Sequence, residues 1–104
     1  MLLSTISSVP GKEIAQTLGL ITGSVVMSKH IGKDFMAGMK TLVGGEIKSY
    51  TEMLDDARRI AIERMQEKAV QLGADAIVGI RLASSEIMDG AAEVTAYGTA
   101  VKLN

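Results

Sequence analysis

Ser49 to Leu72 reads SYTEMLDDARRIAIERMQEKAVQL, without a Gly or Pro, and Gly73 follows directly. A run of this length closed by a glycine predicts one long helix, because glycine takes the left-handed conformation that ends helices. With Ile60 set at 0° and about 100° per residue, Met53, Ala57, Ala61, Leu54, Leu72, Met65, Ala69 and Ile62 fill an arc of about 200°. Asp55, Asp56, Arg59, Glu63 and Glu67 occupy the rest of the circumference. A helix lying on one small sheet buries a stripe of somewhat over ~100°. The wider arc asks for a second buried contact, and another subunit is its simplest source. Asp55–Arg59 and Arg59–Glu63 stand at i,i+4, where each pair adds a few tenths of a kcal/mol.

Downstream of Gly73 the period changes from 3.6 to 2. Ala76, Val78, Ile80 and Leu82 fall on one side, Ile77, Gly79 and Arg81 on the other. Met88-Asp89-Gly90 marks a hairpin turn, and Ala92 to Leu103 returns as a strand. There Val94, Ala96, Gly98 and Ala100 alternate with Thr95, Tyr97, Thr99 and Val101. Both strands are semi-apolar on both faces, more than one helical layer would cover. Upstream, Leu20 to Lys29 predicts a strand with Leu20, Thr22, Ser24 and Val26 facing one way and Ile21, Gly23, Val25 and Met27 the other. Ile31 to Val43 carries apolar residues at helical spacing and ends at Gly44-Gly45. Leu2 to Ile6 predicts a short strand. Pro10 suits the first turn of a short helix running to about Leu18, with Gly19 as its stop. The expected order is β–α–β–α–α–β–β, an α+β fold with an antiparallel sheet in a single domain spanning 1–104.

The 104 residues hold 11 Lys+Arg against 12 Asp+Glu, no Cys and one His. That balance argues against a nucleic-acid binder, which needs a basic excess. The absence of cysteine removes disulfides, thiolate metal sites and a Cys nucleophile. No basic start precedes an apolar run, and the longest apolar stretch, Leu18 to Met27, is about half a membrane span. A cytoplasmic protein without a membrane segment is expected.

Few residues carry chemistry. His30 and Asp34 lie at i,i+4, a spacing that offers two metal ligands, but no third is near, so the pair reads better as a surface His beside a first-turn carboxylate. A triad would depend on His30 as its base, and no G-x-S-x-G elbow exists. Gly32-Lys33 has Met27 where a P-loop needs glycine. The glycines read as stops, hinges and close-packing positions. No residue is assigned as catalytic or metal-binding, and the sequence leaves the cofactor unknown. Arg58 is the most interesting side chain. At about 160° it falls between Met65 and Ala69 on the apolar arc, where it either meets an anion such as Asp34, Glu46 or Glu86 or snorkels to solvent. Tyr50 and Tyr97 are amphipathic enough to edge an interface.

Leu18-Gly19 through Gly23, then Ile31, Asp34 and Ala37, then Val43-Gly44-Gly45, Tyr50 and Ala57-Arg58 together resemble the YbjQ family (UPF0145). Leu72-Gly73-Ala74-Asp75-Ala76, Val78-Gly79 and Gly98-Thr99-Ala100-Val101 continue the likeness, which covers roughly residues 2–103. The resemblance implies a dodecin-like β–α–β–β core with short added helices and an N-terminal strand, assembled as a ring-shaped homopentamer. The family also carries a heavy-metal-binding label, to which one His and no Cys give little support. The expectation is a binding or scaffold module rather than an enzyme. The alternative is a metal ion or small anionic ligand held between subunits, with Asp34, Tyr50 and Arg58 as contributors. An enzyme using carboxylate or lysine chemistry at such an interface ranks last.

Overall fold

Residues 1–28, 42–43 and 46–104 are described by the computed structural model. Along the chain run β1 (Leu2–Leu3), β2 (Ile14–Ser28), β3 (Leu42–Val43), β4 (Glu46–Ile47), α1 (Lys48–Gln71), β5 (Ala76–Met88) and β6 (Ala91–Leu103). Four strands form one sheet in the order β1-β5-β6-β2, and β3 and β4 pair separately. The fold is α+β. The main sheet is mixed, because β1 joins β5 in parallel while β5–β6 and β6–β2 are antiparallel. This corrects the expected all-antiparallel sheet. The N-terminal segment reaches the outer side of β5 from the same end as β5 itself begins, so the two run together.

α1 forms where the unbroken helical sequence stands and starts and stops within one residue of the expected bounds. It closes with the Gly73 N–H donating to the Val70 carbonyl at 2.9 Å and the Ala74 N–H to the Ala69 carbonyl at 3.0 Å. Those two bonds satisfy carbonyls left over at the helix end. Every fourth residue, Met53, Ala57, Ala61, Met65 and Ala69, is buried. This row lies across β2 and β6 and hardly reaches β5. Opposite it stand Ile21 and Val25 of β2, Val94, Ala96 and Ala100 of β6, and Ile77 and Ile80 of β5. The flanks of the expected arc fare differently: Leu54, Ile60 and Ile62 are half-buried, and Leu72 is exposed.

The alternation expected for β2 and β6 is observed, with Ile21, Gly23 and Val25 turned to the helix. At Gly23 the two backbones touch. A Cβ added there would overlap the Ala61 carbonyl oxygen and the Met65 backbone nitrogen, neither of which can swing aside.

Three expectations need correction. The stretch from Pro10 to Leu18 is not helical: Val9-Pro10-Gly11-Lys12 is a turn, closed by the Lys12 N–H donating to the Val9 carbonyl at 3.0 Å. Pro at the second position and Gly11, with φ +84°, at the third suit a type II turn. The residues from Ile14 then extend β2 along the end of β6, and Gly19 lies at a register shift rather than a helix stop. Strict alternation also fails in β5. Gly79, at φ +65°, sits in a register shift between Val78 and Arg81. That extra residue puts Ile80 in the helix-side core with Ile77, while Ala76 and Val78 join Val101 on the other face, under Val9 and Leu103. Finally, Leu42–Val43 is strand where a helix end was expected, and residues 31–41 of that helix lie outside the described residues.

Gly23→Ala should lower stability by roughly 1–3 kcal/mol, the usual cost of overpacking. Urea unfolding followed by circular dichroism measures it; an unmoved midpoint would mean that α1 does not rest on the β2 backbone.

Candidate functional site

α1 covers β2 and β6 but not the outer half of β5, and this offset leaves a cleft. Ile62 forms one wall. Leu3, Ser4 and Thr5 of the N-terminal segment and Ile80, Arg81 and Leu82 of β5 form the other, around about 380 Å³. The cleft exists because Gly79 shifts the β5 register and because Arg81 ties down the N-terminal segment. The Arg81 Nη1 donates to the carbonyls of Thr5 and Ile80, each at 2.8 Å. Backbone bonds from Ser4 to Ile77 (2.9 Å), from Ile80 to Ser4 (3.0 Å) and from Gly79 to Ile6 (2.8 Å) carry the segment along β5.

Beyond Ile80 that cover ends. Arg81 to Met88 is exposed at every residue, and no described strand pairs with its outer edge. Leu82, Ile87 and Met88 leave large apolar surface open there. On the far face of the sheet, Leu20 is 73% exposed, Val26 59% and Tyr97 39%, with no described element packed over them. Between them the Ser24 and Thr95 hydroxyls share a hydrogen bond of 2.9 Å across the strands. The second semi-apolar face expected from the sequence is therefore present, and no described element covers it.

Of the candidate contributors, Asp34 lies outside the described residues, as does His30. Tyr50 is half-buried in the first turn of α1. Arg58 is two turns further along, about 12 Å at 1.5 Å per residue. Its guanidinium meets the Asp55 carboxylate at 2.8 Å, with the two side chains 48% and 69% exposed. Asp55 thus serves Arg58 instead of the expected Arg59, which reaches Asp56 at 3.6 Å and Glu63 at 3.5 Å. These exposed pairs contribute little to stability. Arg58 reaches solvent on the flank it shares with Ile62, because the tight alanine contact behind it leaves no room for a guanidinium.

Among the described residues no group of three or more His, Cys, Asp or Glu is placed to hold a metal ion. No helix of the described residues is long and apolar enough to cross a membrane.

A family model described as "Putative heavy-metal-binding" matches residues 1–104. A UPF0145 protein of Vibrio campbellii is 60% identical over 103 residues, 99% of each chain. One of Thermotoga maritima is 59% identical, over 99% of this chain and 97% of its own. The chain belongs to the UPF0145 family. A crystal structure of a protein of unknown function from Pediococcus pentosaceus, assigned to the DUF74 family, shares the fold with a TM-score of 0.61 at 17% identity, covering 100% of this chain and 98% of that one. Among the described residues this UPF0145 chain assembles no His, Cys, Asp or Glu cluster that matches the family's description, and the sequence offers no thiolate, the ligand soft metals favour.

Sequence reading alone did not find the cleft or the open β5 edge. Gly79 is the signal that would have led to them, since a glycine inside a strand often marks a bulge. Arg81→Ala should release the N-terminal segment. Amide exchange at Ser4 is expected to rise about fivefold, the effect of losing one hydrogen bond of about 1 kcal/mol; unchanged exchange would show that Arg81 does not hold it.

Proposed function

We propose that this UPF0145 protein is a self-associating binding or scaffold module, a homo-oligomer rather than an enzyme. A ring of five is the number that the family resemblance implies, and the cytoplasm is the compartment this reading takes. The observation that carries the reading is the surface that the described residues of one chain leave open: the β5 edge from Arg81 to Met88 together with Leu20, Val26 and Tyr97 on the far face. Unpaired strand edges invite pairing with another chain, and closure into a ring removes them. The run β2–α1–β5–β6 supports a dodecin-like core, with β1, β3 and β4 as additions.

A second reading, favoured by the family's description, adds a metal ion or small anionic ligand at the subunit boundary. Arg58 and Tyr50 would present a cation and a hydroxyl from α1, and Asp34 a carboxylate. The described residues of one chain supply no group of three or more His, Cys, Asp or Glu placed to hold a metal, and this reading draws its ligands from facing subunits.

Sedimentation velocity at micromolar concentration tests the first reading. The expected result is one species at a whole multiple of 11.0 kDa, and a stable monomer overturns it. Isothermal titration with Zn²⁺, Cu²⁺ and Ni²⁺ tests the metal form of the second, which a lack of saturable heat removes.

A further inference from the structure

The open edges of the sheet are not scattered. β2 is the edge strand on one side, and its register shifts are confined to Ile14–Gly19; from Gly19 onward it pairs with β6 without interruption. On the other side β5 is covered to Ile80 by the N-terminal segment and open from Arg81. Bulges and covering segments are how proteins blunt strand edges. Here they protect the same end of both edges and, among the described residues, leave the opposite end bare. Register through β6 shows that the bare stretches are level: Thr22 lies opposite Tyr97 and so Arg81, Ser24 opposite Thr95 and so Ala83, Val26 opposite Glu93 and so Ser85. β2 and β5 also run in the same direction, since both are antiparallel to β6.

Building on the self-association proposed above, we infer that β2 of one copy, from Thr22 to Met27, pairs in parallel with β5 of the next copy, from Arg81 to Glu86, so that the sheet continues from chain to chain. One contact, repeated, uses both bare edges. A two-fold pairing of β5 with β5 would leave β2 open in every copy. The same step brings α1 of the first copy beside the strip of β5 that its own helix misses. Leu82, Ser84 and Glu86 lie on that helix-side face, opposite Ala96, Val94 and Ala92. The flank of α1 over β2 presents half-buried Ile60 and exposed Arg64.

Charge agrees with this arrangement. Arg64 already sits at the β2 edge, its Nη1 donating to the Ser24 carbonyl at 2.7 Å. A carbonyl has a second lone pair, and a guanidinium has further donors. Glu86 has no ion-pair partner among the described residues. It is level with Met27, three residues or about 10 Å along β2 from Ser24, the span that the two long side chains bridge in this arrangement. The Arg64–Glu86 pair across the boundary therefore completes both groups.

The chain has no cysteine, so introduced thiols report without background. Val26→Cys and Ser85→Cys fall on exposed, level positions of the two edges. In one chain these two positions lie two strand spacings apart, about 10 Å, on the same face of the sheet, so the thiols are placed on different chains. Val26→Cys chains co-expressed with Ser85→Cys chains and treated with a short bis-maleimide should give linked dimers, and either variant alone should give none. Linked dimers from Ser85→Cys alone would establish the two-fold pairing and overturn the inference. An intact oligomer in native mass spectra with no linked chains from the co-expressed pair would overturn it too, while leaving self-association standing. A monomer in those spectra would remove both. Arg64→Glu and Glu86→Arg should each weaken assembly by about tenfold or more, and the double reversal should restore it. A double reversal no better than either single change would exclude that ion pair.

Discussion

Everything in this chain is arranged around one close approach, the backbone of α1 resting on the backbone of β2 at Gly23. Met53, Ala57, Ala61, Met65 and Ala69 form a row of mostly small residues along the helix. Small side chains on the helix and no side chain at Gly23 let the two elements meet at main-chain distance. Dispersion falls steeply with separation, so close packing recovers contacts that bulky aromatics supply elsewhere. With three aromatic residues in 104, this chain depends on proximity instead of ring area.

That contact also fixes where the helix cannot be. Seated over β2 and β6, α1 leaves the outer half of β5 bare, and the cleft between Ile62 and Leu82 is the direct result. The N-terminal segment covers the remainder only as far as Ile80, held there by Arg81. The far face receives Val9 and Leu103 at one end and nothing described over Leu20, Val26 and Tyr97. A single packing decision thus yields both a covered half and a half that no described element covers in the same sheet, and the proposed self-association rests on the latter.

The long helix, the β5–β6 hairpin and the facing pattern of β2 and β6 were legible because each has an unbroken period. Val9-Pro10-Gly11-Lys12 was misread because Pro begins both helices and turns; Gly11, two places into the segment, is what selects the turn. Ile14 to Leu18 has weak local preference, and pairing with the end of β6 overrides it. The slip at Gly79 turned Ile80 and Val78 to opposite faces, which strict alternation cannot anticipate. For the candidate site, the position of Arg58 on its helix was readable, but its partner was not. Asp55 and Arg59 each have two possible neighbours at helical spacing, and side-chain geometry alone chooses between them.

Sequence by itself determined the helix, its apolar side, the two long strands that follow it and the membership of one family, because periodicity and residue order are local and survive without knowledge of neighbours. Tertiary structure alone decided which strands became edges, which residues of those edges were left bare, and that the bare stretches of β2 and β5 are level across β6. Those properties depend on register and on the seat of α1 at Gly23, and register is set between segments that lie far apart in the chain.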